Sequence, residues 1–215
     1  MLAGMTTHLQ TSLLDVTPAG GPALRPLAGQ LTRTYLSSGA WIDLLPGWVT
    51  GSDELFLRLV ETVPWYADRR TMYDRVVDVP RLLSWYGEDA ELPDPLLSEA
   101  RQLLDRHYRT ELGEPFVTAG LCYYRDGRDS VAWHGDTIGR SRYQDTMVAI
   151  VSLGAARKLM LRPRSGGPST GFALGHGDLI VMGGSCQRTW EHAIPKTAKP
   201  VGPRISVQFR PRGVR

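Results

Sequence analysis

The sequence has few of the features that mark secreted, disulfide-bonded or membrane-spanning proteins. It contains only 2 cysteines in 215 residues, Cys122 and Cys186. Their spacing fits neither a disulfide framework nor a zinc site, so we expect two reduced thiols. Residues 1–18 carry no basic leader followed by an apolar run, and no segment is apolar over the length that a bilayer requires. We therefore expect a cytoplasmic protein that does not enter a membrane.

Lysine is also scarce, since it occurs only at Lys158, Lys196 and Lys199, and the remaining positive charge is arginine. Residues 1–124 contain 10 basic and 16 acidic side chains, whereas residues 125–215 contain 15 and 6. Planar guanidinium groups suit phosphates and stacked bases, so a polyanionic partner is one interpretation of the basic half. Arginine spread over a solvated surface by a coding preference is the alternative, and charge alone does not decide between them.

With 215 residues, the chain is long enough for one domain with a sizeable core, and 42% hydrophobic residues is ordinary for a globular protein. Residues 1–30 contain scattered proline and glycine without periodicity, which indicates a loosely held N-terminal extension. We expect a single domain over residues 31–215, and a monomer. Two helices are predicted within it, one capped by Ser52 and a second that starts at Asp94.

After these helices, the pattern changes to short runs of β-forming residues separated by turn-rich connections. The runs cover residues 116–124, 147–153, 158–162, 179–182 and 204–210. Several short strands with no helix between them favour a two-sheet jelly roll over a parallel sheet with crossover helices. The predicted fold class is therefore α+β, mainly β, with a jelly-roll core that the N-terminal helices buttress.

A possible metal site is carried by His134 and Asp136, which flank Gly135, and by the more distant His192. Two imidazoles and one carboxylate can occupy one face of an octahedral iron(II) site and leave three positions for a co-substrate and dioxygen. In an extended strand, residues i and i+2 point to the same face, so His134 and Asp136 can bind one metal ion together. His192 must then come from a distant strand, which a jelly roll allows.

The last predicted strand carries two arginines, Arg204 and Arg210, on one face. Two arginines that face an interior rarely stay unpaired, because burial of an isolated charge is very costly. A dicarboxylate would satisfy both.

A His-x-Asp triplet or a lone histidine is usually an incidental surface or structural feature. The ordered set of that triplet, a later histidine and the two arginines is much harder to reach by chance.

With these motifs, the chain resembles the AlkB family of iron(II)- and 2-oxoglutarate-dependent dioxygenases over about residues 41–210. The similar segments are residues 45–48, 80–87, 124–125, 129–136, 152–157, 177–184, 192–196 and 204–210. The resemblance implies a double-stranded β-helix with supporting helices and a nucleotide-recognition lid. This fold agrees with the pattern of strands.

The resemblance also implies roles for individual residues. His134, Asp136 and His192 would bind iron. Arg204 would pair with the distal carboxylate of 2-oxoglutarate and Arg210 with the carboxylate nearer the metal, and Tyr124 would donate a further hydrogen bond. The fork-shaped guanidinium explains why arginine rather than lysine occupies both positions. The three metal ligands and Arg210 form the expected catalytic set.

By the same resemblance, the expected activity is oxidative demethylation of N-alkylated bases in DNA, which repairs alkylation damage. Fe(II) is the expected cofactor, 2-oxoglutarate and O2 are the co-substrates, and formaldehyde, succinate and CO2 are the products. A base alkylated on its pairing edge is cheaper to extrude than a normal base, so we expect single-stranded or flipped-base DNA as the partner.

The resemblance places the recognition lid in residues 65–87. There, Trp65, Tyr73 and Tyr86 are candidates to stack on or shape the base, with core packing as the alternative for each. Arg157 matches a basic position near the base or phosphate, with a surface salt bridge as its alternative.

Three positions depart from the family pattern. Cys122 and Ser206 stand where many relatives have asparagine near the 2-oxoacid, and the two arginines are intact. Ile138 stands where relatives that repair adenine and cytosine usually have an acidic residue, so the resemblance does not name the alkylated base. Two other functions stay open: an oxygenase that acts on RNA, a protein or a small molecule, and a nucleic-acid-binding module without turnover. Apart from Trp65, we expect the tryptophans Trp41, Trp48 and Trp85 to pack in the core rather than to stack on a ligand.

Overall fold

The computed structural model describes residues 21–72, 75–141 and 143–214, and these ranges form antiparallel sheets with helices on one side. The strands are β1 (Ala23–Leu24), β2 (Thr32–Tyr35), β3 (Ala40–Leu45), β4 (Val49–Thr50), β5 (Tyr66–Met72), β6 (Arg75–Tyr86), β7 (Phe116–Tyr124), β8 (Val131–His134), β9 (Val148–Gly154), β10 (Arg157–Pro163), β11 (Thr170–Leu174), β12 (Asp178–Gly184), β13 (Trp190–Ile194) and β14 (Arg204–Pro211). The helices are α1 (Ser52–Thr62), α2 (Pro95–Leu112) and α3 (Cys186–Thr189).

Two of the sheets face each other and form the predicted jelly roll. The larger has the strand order β2-β3-β12-β9-β14-β7-β6-β5, and the smaller has the order β11-β10-β13-β8. Apolar side chains from both sheets, such as Ile150, Leu161 and Ile180, form one core between them. α1 and α2 cover the outer face of the large sheet, where Leu59 and Leu104 belong to a second core. The predicted mainly β fold is confirmed.

The alternation predicted along the last strand is present in β14. Ile205, Val207 and Phe209 pack into the core beneath the helices. Arg204 and Arg210 lie on the opposite face and line a cavity inside the jelly roll. Because successive side chains of a strand point to opposite faces, one strand contributes both to the core and to the cavity.

The two predicted helices are present, with one difference at a cap. Asp94 caps α2, since its side chain accepts a hydrogen bond from the backbone N–H of Leu96 at 2.9 Å. α1 begins at Ser52, but Gly51 occupies its N-cap position with φ 60°, so Ser52 does not cap it. This positive φ suits glycine, which has no Cβ to clash.

Chain segments outside the predicted strands also pack on this framework. Residues 21–30 were expected to be loosely held, but β1 pairs with β4 and Leu27 is buried in the core beneath the helices. The hairpin of β5 and β6 extends the large sheet at the edge beside β7. Among the described helices, none combines the length and the apolar character that crossing a bilayer requires.

Candidate metal centre and substrate cleft

The structure brings the three predicted metal ligands together at one end of the small sheet. His134 ends β8 and lies opposite His192 of β13, with the two ring centroids 4.1 Å apart. Asp136 follows two residues later, and its Oδ1 lies 3.7 Å from Nε2 of His134. The three ligand atoms lie within 4.8 Å of one another. Two imidazoles and a carboxylate so placed can bind one iron(II) ion on one side.

The protonation states of these ligands suit a metal ion. Nδ1 of His134 lies 2.8 Å from the carbonyl oxygen of Ala132, so the N–H belongs on Nδ1 and Nε2 is free for a metal. Burial, together with the charge of His134, lowers the pKa of His192 to about 3, so this imidazole is neutral. Burial alone would raise the pKa of Asp136, but Arg210 and the two histidines lower it to about 2.

A backbone contact with α3 fixes the His-x-Asp triplet. A Cβ on Gly135 would lie 2.5 Å from the carbonyl oxygen of Gln187, so no side chain fits at this position. The side-chain oxygen of Gln187 accepts a hydrogen bond from the backbone N–H of Asp136 at 3.0 Å. Gln187 therefore positions a metal ligand. The sequence carried no signal for this role, because the two residues are 51 positions apart.

Arg204 is a buried cation with an open donor. Only 1% of its surface is exposed, its Nε donates to Oγ of Ser152 at 2.9 Å, and its guanidinium lies 5.2 Å from the ring centroid of Tyr124. Its buried Nη1 has no hydrogen-bond partner among the described residues. Because a buried charged donor without a partner is costly, this atom fits an anionic ligand.

The cavity in front of Arg204 reaches the metal ligands. It is lined by polar and apolar side chains, namely Arg81, Cys122, Tyr124, Val131, His134, Ile150, Leu159, Leu174, His192, Ile194, Arg204, Ser206, Gln208 and Arg210. Burial raises the pKa of Tyr124 to about 12, so its hydroxyl stays a neutral hydrogen-bond donor. A short dicarboxylate that extends from Arg204 to the metal fits these donors. We refer to this cavity and the three metal ligands as the inner site.

Arg210 has a contact that the sequence did not reveal. Its Nε donates to Oδ2 of the metal ligand Asp136 at 3.0 Å. Asp136 is therefore held by Arg210 on its side chain and by Gln187 on its backbone. Such supporting contacts orient a ligand before the metal binds.

A second, wider space opens from the metal ligands towards the β5–β6 hairpin. We call it the outer cleft; its volume is about 970 Å³. Its walls include Tyr66, Trp85, Trp133 and Ile138. Trp85 lies across from Gly120 of β7, where a Cβ would approach the indole ring to 3.3 Å. Gly120 therefore leaves room for the Trp85 ring beside the cleft.

The aromatic residues predicted to contact the base are placed differently. Trp65 and Tyr86 pack against the core beneath the helices, and the Trp65 ring lies 5.3 Å from that of Tyr123. Trp85, which we expected in the core, lines the outer cleft and is 37% exposed. Neighbouring residues of a strand face opposite sides, which explains why Trp85 rather than Tyr86 reaches the cleft. Tyr73 lies outside the described residues.

Arg157 also has a different place from the one predicted. It is buried, and it donates hydrogen bonds to the carbonyl oxygens of Asp126, Asp129 and Pro195 at 3.1, 2.9 and 2.7 Å. It lines neither the inner site nor the outer cleft. Arg157 thus ties two loops together, and it makes no salt bridge with the residues that the structure describes.

Comparisons with known proteins agree with this site. A family model described as "2OG-Fe(II) oxygenase superfamily" matches residues 43–210. The chain is 31% identical over 198 residues to the bovine alpha-ketoglutarate-dependent dioxygenase alkB homolog 3, covering 80% of this chain and 68% of that protein. It is 28% identical over 180 residues to the human DNA oxidative demethylase ALKBH2, covering 74% and 68%. The solved structure of OsALKBH1 has a similar fold, with a TM-score of 0.57 at 16% identity, covering 84% of this chain and 100% of that one.

Proposed function

The chain belongs to the AlkB family of 2OG-Fe(II) oxygenases, and we propose that it removes N-alkyl groups from damaged bases in DNA. As a member of this family, it uses Fe(II), 2-oxoglutarate and O2, and the triad of His134, Asp136 and His192 fits the metal. The observation that carries the proposal is the outer cleft, which reaches the metal ligands His134 and Asp136 and has aromatic walls. A flat base extruded from a nucleic acid would enter such a cleft edge first.

Fe(II), held by His134, Asp136 and His192, would supply the oxidising chemistry: O2 and 2-oxoglutarate would be consumed, succinate and CO2 would leave, and one oxygen atom would enter a C–H bond of the N-methyl group. The N–C bond of the N-hydroxymethyl group then breaks, formaldehyde leaves, and the electron pair of the bond stays on the base nitrogen. The hydroxyl proton goes to that nitrogen in a neutral base and to water in a cationic base. The protein holds the reactants in place and keeps water away from them.

The inner site holds the co-substrate in this proposal. Arg204 pairs with its distal carboxylate, because that guanidinium is buried and has an unused donor. Arg210 lies between the metal ligand Asp136 and the cavity, where it can also face the second carboxylate. Tyr124 adds a neutral donor beside Arg204.

The outer cleft holds the base. Trp85 and Tyr66 offer exposed rings on the wall formed by the hairpin, and Trp133 precedes the metal ligand His134 on the opposite side. Stacking of a base on an aromatic ring contributes about 1–3 kcal/mol without selecting the sequence around it. Lys196 on the rim can contact the phosphate backbone. A base in a single strand, or one flipped out of a duplex, can reach these contacts, whereas a base stacked in an intact duplex cannot. The human relative is named a DNA oxidative demethylase, which supports DNA as the substrate.

The test is an assay with a panel of oligonucleotides that each carry one N-methylated base. Purified protein is incubated with Fe(II), ascorbate and 2-oxoglutarate, and the products are read by mass. We expect at least one DNA oligonucleotide to lose the mass of a methylene group, with formaldehyde and succinate formed in equal amounts. His192→Ala should abolish the formation of the demethylated oligonucleotide, formaldehyde and succinate.

Two results would contradict the proposal. One is succinate formation that no alkylated DNA stimulates. The other is demethylation of matched RNA oligonucleotides alone, which would change the class of substrate. The same oligonucleotides without the methyl group serve as controls for uncoupled succinate formation.

A further inference from the structure

We propose that the outer cleft selects alkylated bases that are neutral and carry a carbonyl oxygen at the ring carbon that bears the exocyclic amine in adenine and cytosine, and that Arg81 recognises this oxygen. N1-methylguanine and N3-methylthymine have this chemistry, whereas N1-methyladenine and N3-methylcytosine are cations with an exocyclic nitrogen at the same place. The inference rests on the proposed function and specifies its substrate.

Arg81 lies where the two cavities meet, because it lines both the inner site and the outer cleft. A guanidinium has five N–H donors. Among the described residues, Nη1 of Arg81 donates to the carbonyl oxygen of Ser130 at 3.0 Å, the guanidinium also meets the Cys122 thiol, and its buried Nε has no partner. The side chain therefore has more donors than acceptors at the border of the reaction site. A substrate that brings an oxygen acceptor there would improve this balance.

The charges around the cleft also disfavour a cationic base. Arg81, Lys196 and Arg210 all line it. Its acidic lining residues are already paired: Asp136 is a metal ligand that holds Arg210, and Asp78 lies 2.8 Å from Arg69. A cationic base would thus approach guanidinium and ammonium groups without a free carboxylate to offset them, and like charges repel most where water is excluded.

Ile138 gives the third reason. It follows the metal ligand Asp136 by two residues, lines the cleft and is 67% exposed. Its side chain offers no acceptor to an exocyclic amine, and the amide oxygen of Gln208 on the cleft floor already faces the Cys122 thiol at 3.7 Å. An adenine or cytosine amine beside Ile138 would therefore give up its hydrogen bond to water without an acceptor from that side chain, which lowers the rate for those bases. A carbonyl oxygen avoids this cost because Arg81 can donate to it.

The experiment compares four single-stranded oligonucleotides of one sequence that differ only in the lesion. We expect kcat/KM for N1-methylguanine and N3-methylthymine to exceed that for N1-methyladenine and N3-methylcytosine by about tenfold or more, as one unmet hydrogen bond predicts. Ile138→Asp restores an acceptor and should shift the preference towards the two cationic bases. Ile138→Val is the matched control, and it should keep the wild-type order.

Arg81→Lys keeps the positive charge but loses the fork-shaped donors, so it should lower kcat/KM for N1-methylguanine and N3-methylthymine selectively. The affinity of Arg81→Lys for each oligonucleotide can be measured by fluorescence anisotropy without O2. It should fall more for N1-methylguanine and N3-methylthymine than for the two cationic bases. Ile138 is exposed, so its variants report on selectivity even if Arg81→Lys does not fold.

Equal or faster turnover of the cationic bases, with no shift in Ile138→Asp, would overturn the inference and leave the proposed function intact. Failure to convert any of the four bases, while succinate still forms, would overturn the proposed function and the inference with it.

Discussion

The inner site and the outer cleft are built by different parts of the fold. His192 lies on β13, which is paired with β10 and β8, and Arg204 lies on β14, which is paired with β9 and β7. The outer cleft shares Gln208 and Arg210 of β14 with the inner site, but it is also walled by the edge hairpin β5–β6 and by Ile138, two residues after Asp136. A strand that is paired on both sides cannot slip without turning its side chains to the other face. His192 and the two arginines are thus fixed on central strands, and Gln187 and Arg210 hold Asp136 beyond the end of β8. Part of the substrate cleft lies instead on the hairpin at the sheet edge and on the segment after Asp136.

The largest effect is expected in the inner site. Asp136→Ala removes a metal ligand and leaves Arg210 without its partner, so turnover should fall below detection while the far-UV circular dichroism spectrum is unchanged. Succinate release measures the turnover. Asp145→Ala, which removes an aspartate paired with Arg188 away from both cavities, is the matched control and should retain activity. Near-normal succinate release from Asp136→Ala would refute the assignment of the inner site.

The next effect tests the co-substrate end of the same cavity. Arg204→Lys should raise the KM for 2-oxoglutarate by about 100-fold, because the charged hydrogen bonds of a fork are worth about 2–3 kcal/mol. The rate at saturating 2-oxoglutarate should fall much less. Arg128→Lys replaces an exposed arginine and controls for the loss of a guanidinium. An unchanged KM in Arg204→Lys would mean that the co-substrate lies elsewhere.

A smaller effect separates the two faces of β6. Trp85→Ala should raise the KM for an alkylated oligonucleotide by about tenfold, as the loss of one stacking contact predicts, without changing the KM for 2-oxoglutarate. Tyr86→Phe is the neighbouring control, because Tyr86 packs in the core and should not affect either KM. A raised oligonucleotide KM in Tyr86→Phe, with an unchanged KM in Trp85→Ala, would show that Tyr86 rather than Trp85 faces the cleft.

The smallest effect on catalysis is expected for Arg157→Gln. Its three hydrogen bonds hold loops together, so a loss of about 2 kcal/mol should lower Tm by about 4–8 °C. The KM for the oligonucleotide should stay at its wild-type value. Weakened oligonucleotide binding with an unchanged Tm would contradict this role and show that Arg157 contacts the substrate.

The same contrast explains which parts of the site were predictable from the sequence. The two-residue period of a strand places Arg204 on the face of Arg210, because both lie in β14. Asp136 lies near His134 as predicted, but beyond the end of β8, where Gln187 and Arg210 hold it. Trp85 was assigned to the core and Tyr86 to the base, because the face of β6 follows from its register with β7 and the sequence did not show that register. Gln187 and Arg157 act through backbone groups of distant segments. A side chain that bonds to a backbone group leaves no pairing pattern in a single sequence.

The most direct test of the central claim is an anaerobic calorimetric titration of the protein with Fe(II), followed by 2-oxoglutarate. We predict that one equivalent of each binds, that His192→Ala loses the iron step, and that Arg204→Lys keeps the iron step but binds 2-oxoglutarate much more weakly. Undiminished iron binding in His192→Ala, or undiminished 2-oxoglutarate binding in Arg204→Lys, would contradict a metal centre joined to an arginine-held co-substrate.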